Sequence, residues 1–268
     1  MDLQAEYDNG AKVPGYQAIV AGWTAASAAM RASWPAAELD VPYGPTDRQK
    51  LDIFWPEPSR AAPLAMFVHG GYWAALDRTV FSYLASGLLA HGVAVAMPSY
   101  DLCPHVTVAA IVEQVRDAAG FVARRHSRDM LAIGHSAGGH LAAMLLATDW
   151  ASRGLPAAAV RAALPISGLF DLPPLLATTV NEPLGLDEAE AGRLSPLFLP
   201  SPGLPLHAVV GGLEGVEYTR QATSIAEAWG GTWEAMPDAN HFSVIGPLAN
   251  EGSPLVAKAL ELLGVPTA

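Results

Sequence analysis

Residues 130–138 read Met-Leu-Ala-Ile-Gly-His-Ser-Ala-Gly, so a short apolar run leads directly into the pattern G-x-S-x-G. The run predicts a buried strand, and apolar residues at helical spacing follow over 137–147. Small neighbours let a tight strand-to-helix turn raise Ser136 above the sheet, where the helix N-terminus favours developing negative charge. The stretch predicts a parallel α/β architecture with a nucleophilic Ser136, although a helix-capping serine in a Gly-rich turn would read the same.

Strand-like and helix-like segments alternate along the rest of the chain. Continuous apolar runs occupy 64–69, 93–97, 130–134, 162–166 and 206–210, with 51–55 and 232–236 as two further candidates. Segments with helical spacing occupy 79–89, 108–125, 137–147, 218–229 and 254–263. Strands that are buried on both faces read as continuous apolar runs, and alternation with helices indicates a mostly parallel sheet covered on both faces. Pro165 is unfavourable inside its run.

The length of 268 residues suits one α/β domain spanning 1–268. Residues 1–40 have helical spacing around 16–31 and no core pattern of their own, which predicts a helical N-terminal extension packed on the main body. Residues 171–203 are rich in proline and break the strand–helix rhythm. Long irregular insertions in compact domains are usually functional, so we expect this one to be a small cap over a site.

Composition excludes several classes of partner. The formal charge is −11 and Lys or Arg residues form no long run, which argues against nucleic acid. The acidic N-terminus has no signal-peptide core, and no apolar stretch reaches the ~20 residues of a membrane span. The lone Cys103, expected to be a packing residue, permits no intrachain disulfide. These features predict a soluble, cytoplasmic protein that acts on a small molecule; they say nothing about oligomeric state.

A second motif, His-Gly-Gly-Tyr-Trp at 69–73, follows the run at 64–69. Glycines at the carboxyl end of a buried strand free backbone N–H groups to bind an oxyanion, which acyl transfer requires. By position, the expected donors are the N–H groups of Gly71, Tyr72 and Ala137. A plain Gly-Gly turn is the structural alternative.

The general base is expected among the histidines that follow the serine, because the chain order for such a turn is Ser, acid, His. His140 precedes every candidate acid, and His207 begins a predicted strand, where a buried structural histidine is the simpler interpretation. His241 lies in a loop after the last predicted strand, at the carboxyl edge where ligands bind. We therefore predict His241 as the base.

The acid should lie between the serine and His241, after the penultimate strand. Glu214 lies in the loop that follows the run 206–210, whereas Glu217 begins a helix whose N-terminus favours a carboxylate anyway. Asp238 is close to His241 in sequence and stays an alternative. The sequence thus predicts a Ser136–Glu214–His241 triad with no cofactor and no metal site, since it carries no H-E-x-x-H, Walker or G-x-G-x-x-G motif.

Together these motifs resemble the α/β-hydrolase superfamily over residues from about 41 to the end, and within it the kynurenine formamidase (arylformamidase) branch and related esterases and lipases. The resemblance rests on HGGYW at 69–73, SYDLCP at 99–104, GHSAGGH at 134–140, GGLE at 211–214, EYTRQA at 217–222 and EYDNGAKVP at 6–14. It implies the α/β-hydrolase fold and the same triad of Ser136, Glu214 and His241. The branch generally has Asp where this chain has Glu214.

The resemblance implies hydrolysis of an aryl formamide such as N-formylkynurenine, or of small aryl and acyl esters. The residues alone indicate ester or amide hydrolysis of a small aromatic or apolar substrate, with Tyr72, Trp73 and Phe170 as pocket candidates that core packing would explain equally well. The competing hypotheses are a generic small-acyl carboxylesterase, a lyase or acyltransferase on the same scaffold, and a non-catalytic binding protein. The last would be expected to lack a triad member or the oxyanion glycines, and none is missing.

Overall fold

A central, mostly parallel sheet organises the protein, whose computed structural model describes residues 1–56 and 61–266. In these residues the sheet has eight strands in the order β1-β2-β4-β3-β5-β6-β7-β8. β1 and β2 join the sheet antiparallel to their neighbours, and the other neighbouring pairs are parallel. The strands are β1 (Ala37–Pro42), β2 (Lys50–Phe54), β3 (Leu64–Val68), β4 (Ala94–Pro98), β5 (Met130–His135), β6 (Val160–Ile166), β7 (His207–Gly211) and β8 (Thr232–Met236).

Helices cover both faces of this sheet. One face packs against α5, α6 and α9, and the other against α3, α4 and α10. The described helices are α1 (Leu3–Tyr7), α2 (Asn9–Lys12), α3 (Tyr16–Ser33), α4 (Ala85–Ala90), α5 (Val108–His126), α6 (Ala137–Leu146), α7 (Asn181–Leu184), α8 (Glu188–Arg193), α9 (Val216–Trp229) and α10 (Pro254–Leu263). Alternate β3 residues belong to opposite cores, which explains its continuous apolar run. The α/β-hydrolase fold, predicted from these runs and motifs, is confirmed.

Two predictions of helix need correction. Residues 37–40 are not helical but begin β1, an edge strand with mixed burial that carries no continuous apolar signal. The predicted helix over 79–89 is instead two 3-10 turns, Arg78–Val80 and Ser82–Leu84, followed by α4. Thr79, Val80 and Phe81 are weak helix formers, so the turn capped by Asp77 does not propagate as an α-helix.

Pro165 lies within β6, contrary to the expectation that it weakens this strand. Ala163 and Ser167 donate their N–H groups to carbonyl oxygens on the β7 side, so the nitrogen of Pro165 between them faces β7 too. The β6–β7 ladder pairs only at Ala163–Leu206 and Ile166–Val209, leaving a gap opposite the proline. The missing N–H therefore breaks no ladder bond.

The N-terminal segment packs on the sheet face that carries α4 and α10. Trp23 of α3 is buried, with its ring 5.6 Å from that of Phe81 and 6.1 Å from that of Phe242. Arg31, near the end of α3, forms an ion pair with the fully buried Asp52 of β2. Residues 57–60 and 267–268 of the predicted 1–268 domain lie outside the described residues. No described helix is both long and apolar enough to cross a membrane.

Candidate active site

Ser136 occupies a sharp turn between β5 and α6, with φ 56° and ψ −121°. Such a positive φ is unfavourable for serine, so the surrounding packing must impose it. A Cβ at Gly134 would come within 2.0 Å of the Gly138 carbonyl oxygen, and one at Gly138 within 2.0 Å of the Val68 carbonyl oxygen. Both glycines of G-x-S-x-G are therefore required for the turn.

His241 and Glu214 meet at the carboxyl edge of the sheet. The Nδ1 atom of His241 lies 2.6 Å from Oε2 of Glu214, and the Glu214 side chain is fully buried. The other carboxylate oxygen of Glu214 accepts hydrogen bonds from the Ser167 hydroxyl and from the Gly211 N–H at 2.6 Å. With both oxygens held, Glu214 accepts the Nδ1–H of His241 and leaves the opposite ring nitrogen as the proton acceptor.

The alternative acids and bases lie elsewhere. Glu217 is buried, but its carboxylate accepts hydrogen bonds from Tyr7 and Arg220, not from His241. Asp238 is exposed. His140 lies 2.8 Å from the Leu194 carbonyl oxygen, and His207 lies 2.7 Å from the Thr232 hydroxyl.

The loop that carries His241 is tied to the Ser136 turn through His135. The Nε2 atom of His135 lies 2.8 Å from the carbonyl oxygen of His241, and the two rings are 4.7 Å apart. Burial lowers the pKa of His135 well below its usual value, and the positive charge of His241, when protonated, lowers it further. The neutral His135 ring therefore donates Nε2–H to the backbone carbonyl oxygen of His241.

The His-Gly-Gly-Tyr-Trp loop follows β3 and passes beside the serine. A Cβ at Gly70 would lie 3.1 Å from Cβ of Ser136, while Gly71 has φ 107° and Tyr72 has φ 48°. The backbone N–H groups of Gly71, Tyr72 and Ala137 donate to no acceptor among the described residues. His69 supports the loop: its ring stacks on Tyr100 at 4.3 Å, and the Tyr100 hydroxyl donates to the His69 carbonyl oxygen at 2.8 Å.

A cavity of about 630 Å³ opens beside Ser136 and His241, which both line it. Tyr72 and Gly71 line it as well. The structure places Trp73 and Phe170, the other two pocket candidates, in the core. Both are fully buried, outside the lining, because Trp73 packs edge-on against His140 and the N–H of Phe170 is held by Gln221.

Residues 1–40 form a large part of the cavity wall, which sequence reasoning missed. The wall residues from this segment are Gln4, Tyr7, Asp8, Asn9, Gly10, Tyr16, Gln17, Val20 and Trp23. The predicted cap, 171–203, contributes Thr179 and Val180. The available signal was the family resemblance of EYDNGAKVP at 6–14, a stretch that includes the lining residues 7–10.

A polar cluster of Tyr7, Asn9, Tyr72 and Tyr218 fastens this segment to the site. The amide of Asn9 donates to the Tyr72 hydroxyl at 3.0 Å and to the Tyr218 hydroxyl at 2.7 Å. Tyr72 in turn donates to the Tyr7 carbonyl oxygen at 2.6 Å. The Tyr218 ring also lies 4.9 Å from the His241 ring, so the cluster lies directly beside His241.

The described residues contain no group of three or more His, Cys, Asp or Glu side chains that could hold a metal ion. Cys103 is buried, and burial raises the pKa of its thiol to about 11. It is therefore a protonated packing residue at neutral pH, as its sequence context indicates.

Sequence comparison relates the chain to one family model and to a family of enzymes. The family model BD-FAE matches residues 51–156. The kynurenine formamidase of Salmo salar is 34% identical over 241 residues, which cover 84% of this chain and 82% of the relative. Matching over most of both chains extends the resemblance beyond the short motifs.

Solved structures agree on the fold. A protein from Silicibacter sp. TM1040, provisionally assigned as a thioesterase, superposes with a TM-score of 0.89 at 39% identity, covering 96% of this chain and 98% of its own. Esterase B of Lactobacillus rhamnosis has a TM-score of 0.69 at 19% identity, covering 96% and 94%, and thus shares the fold. These similarities support an enzyme of the hydrolase class, of arylformamidase or esterase type. At 34% identity across most of both sequences, the chain belongs to the kynurenine formamidase family.

Proposed function

We propose that the protein hydrolyses a small ester or amide through a Ser136–His241–Glu214 triad and an acyl-enzyme. The observation that carries the proposal is the 2.6 Å contact between His241 Nδ1 and the buried Glu214 carboxylate, with Ser136 and His241 lining one cavity. A serine raised on a strained turn, a histidine and a buried acid are the combination that nucleophilic acyl transfer needs.

In the proposed reaction, His241 takes the proton of Ser136 as the serine oxygen attacks the substrate carbonyl carbon. The resulting oxyanion is stabilised by the N–H groups of Gly71, Tyr72 and Ala137, which have no other acceptor in the described chain. His241 then protonates the leaving group, and the acyl-enzyme forms. A water molecule, deprotonated by His241, attacks the acyl carbon, and His241 returns the proton to the Ser136 oxygen as the bond to the acyl group breaks.

For the substrate we propose an aryl formamide, N-formylkynurenine or a similar molecule. Membership of the kynurenine formamidase family supports this choice, as do the aromatic side chains of Tyr16, Trp23, Phe81 and Phe242 on the cavity wall. A generic small-acyl carboxylesterase is the second candidate. The relationship to the Silicibacter protein, at 39% identity, favours it, because a thioesterase also cleaves an activated acyl group.

The two candidate functions are distinguished by comparing kcat/KM for N-formylkynurenine with kcat/KM for p-nitrophenyl acetate and p-nitrophenyl butyrate. The proposal expects efficient formamide cleavage that Ser136→Ala abolishes. Turnover of the simple esters with negligible formamide cleavage would favour the carboxylesterase. A protein that binds these compounds without turning any over would instead be a non-catalytic member of the fold.

We also propose that the chain acts as one domain in the cytoplasm, with residues 171–203 as a small cap beside the N-terminal segment. Thr179 and Val180 line the cavity, and the Thr179 N–H donates to the Gln4 side chain at 2.8 Å, which supports the cap assignment. The net charge of −11 supports a small-molecule substrate over nucleic acid.

A further inference from the structure

The charges around the cavity are unbalanced. Among the described residues that line the cavity, Asp8 is the only carboxylate and none is a Lys or an Arg. Two cations neighbour lining residues in the chain or by a hydrogen bond, Lys12 in the helix that Asp8 caps and Arg48 at the Leu76 carbonyl oxygen, and both are already engaged. Lys12 lies 3.5 Å from Glu6, while Arg48 donates to the Leu76 and Tyr100 carbonyl oxygens at 2.7 Å each and lies 3.9 Å from Asp77. A carboxylate on a substrate would therefore enter this cavity without a cationic partner.

The buried polar cluster has no proton left to donate. Tyr72 gives its hydroxyl proton to the Tyr7 carbonyl oxygen, and Tyr218, 2.8 Å from the Tyr72 oxygen, gives its proton to Tyr72. Both hydroxyl oxygens therefore face the NH₂ group of Asn9, which fixes the orientation of that amide. Asn9 Oδ1 has no donor among the described residues, so the cluster offers a ligand only an acceptor.

Asp8 adds a second unfilled acceptor next to Asn9. Its Oδ1 accepts the Ala11 N–H at 2.9 Å as the N-cap of α2, whereas its Oδ2 has no donor in the described part of the chain. The neutral side-chain donors on this part of the wall are Gln4, Gln17, Thr179, Tyr16 and the indole N–H of Trp23, none of which could neutralise an anion. The only formal charge among the described lining residues at this end of the cavity is therefore negative.

Aromatic rings form the adjoining wall. The rings of Tyr16 and Phe242 stack 5.0 Å apart, and Trp23 lies against Phe242 and Phe81. Aromatic faces carry negative electrostatic potential, so they attract aryl groups and cations and repel anions. The aromatic wall and the polar cluster therefore both favour a ligand that is aromatic and is cationic or uncharged rather than anionic.

We propose that the N-terminal wall makes the site selective for aryl substrates whose remote group is an amine or is uncharged, and unfavourable to those bearing only a carboxylate. Asp8 and Asn9 Oδ1 receive the N–H of the amine, and the Tyr16–Trp23–Phe242 wall receives the aryl ring. This selectivity rests on the proposed hydrolase function and specifies its substrate class. N-formylkynurenine carries both an ammonium and a carboxylate group, so its turnover does not show which of these two charges the site prefers.

The test compares kcat/KM for three para-substituted phenyl acetates that bear a dimethylaminomethyl, a methoxymethyl or a carboxymethyl group. We expect the order amine, neutral, carboxylate, with about a fivefold difference between the first and last from one partly screened charge. Asp8→Asn keeps the helix cap and should compress that range, as should high salt. Asp187→Asn is the matched control: Asp187 caps α8 in the same way without lining the cavity, and the wild-type order should persist.

Equal kcat/KM for the three wild-type reactions, or a preference for the carboxylate, would overturn this inference and leave the hydrolase proposal intact. An unchanged range in Asp8→Asn would overturn the role given to Asp8. Failure to hydrolyse any of the three esters would overturn the selectivity stated here, and if N-formylkynurenine is not cleaved either, the proposed function fails with it.

Discussion

Glu214 and His241 are joined by a 2.6 Å hydrogen bond between Oε2 and Nδ1, although 27 residues separate them in the chain. We predict that Glu214→Gln lowers kcat by about 10³- to 10⁴-fold, because the imidazole loses both its tautomer and the partner of its positive charge. Steady-state kinetics on any accepted ester measure the change.

Glu217→Gln is the matched control for that variant. Burial alone would raise the pKa of Glu217, but hydrogen bonds from Arg220 and Tyr7 outweigh it and hold the pKa below its usual value. Its carboxylate accepts a hydrogen bond from Tyr7 of the N-terminal segment and none from His241, so kcat should change far less than in Glu214→Gln. The reverse order of the two effects would assign the acid role to Glu217.

His135 positions the His241 loop through its 2.8 Å bond to the His241 carbonyl oxygen. His135→Phe removes this donor, and we predict a drop in kcat of roughly 10- to 100-fold with a small change in KM, since misplacement of a catalytic group acts on the chemical step. His135→Gln, which restores an N–H donor, should recover part of the loss. His207→Gln, at a remote strand end, should leave kcat unchanged. Equal losses of kcat in His135→Phe and His207→Gln would indicate a general packing effect.

The proposed oxyanion role of the loop at 69–73 depends on the backbone conformation of Gly71. A Cβ there would lie 2.2 Å from the Ala75 carbonyl oxygen at a φ of 107°, so Gly71→Ala must shift the backbone that carries the Tyr72 N–H. We predict a loss in kcat of about 10²- to 10³-fold, the scale of one lost oxyanion donor. Gly92 also has positive φ but open space around it. Gly92→Ala should therefore cost about 1–2 kcal/mol of stability and retain activity. Full activity in Gly71→Ala would show that the loop at 69–73 takes no part in catalysis.

The motifs were predictable from sequence because each is local. A strand–turn–helix at Ser136 and glycines after β3 need only neighbouring residues to adopt their shapes. The N-terminal wall was not predictable in this way. Tyr7 and Asn9 find their partners Glu217 and Tyr218 more than 200 residues away, and α3 buries only Trp23 and Ser27 along its length.

Pocket residues were harder to predict than catalytic candidates. Tyr72 and Trp73 are adjacent and both aromatic, yet Tyr72 lines the cavity and Trp73 is fully buried. Both have positive φ, so the turn that separates their directions is invisible to periodicity. Phe170 follows a strand as a pocket residue would, but Gln221 binds its N–H within the core.

Two buried histidines predict how stability depends on pH. Burial lowers the pKa of His69 and His140 to about 4 each, so both are neutral in the folded protein down to that pH. In the unfolded chain they take up protons below about 6.5. Stability should therefore be fully present above pH 6.5 and fall as the pH decreases toward 4, by about 2 kcal/mol per histidine between pH 7 and 5.

Urea unfolding at several pH values checks this prediction. His140→Gln keeps an N–H donor for the Leu194 carbonyl oxygen but cannot titrate. The slope of unfolding free energy against pH between pH 5 and 6 should therefore decrease by an amount that corresponds to about one proton fewer taken up on unfolding. The same slope as the wild type would mean that His140 is protonated in the folded protein.

The most direct test of the central claim, that Ser136 is the nucleophile, is covalent labelling of the folded protein by a fluorophosphonate, with the adduct mapped by peptide mass spectrometry. The account predicts one stoichiometric adduct on Ser136, no labelling of Ser136→Ala, and slow labelling of Glu214→Gln. An unlabelled wild-type protein that is otherwise folded, or an adduct on a different residue, would contradict it.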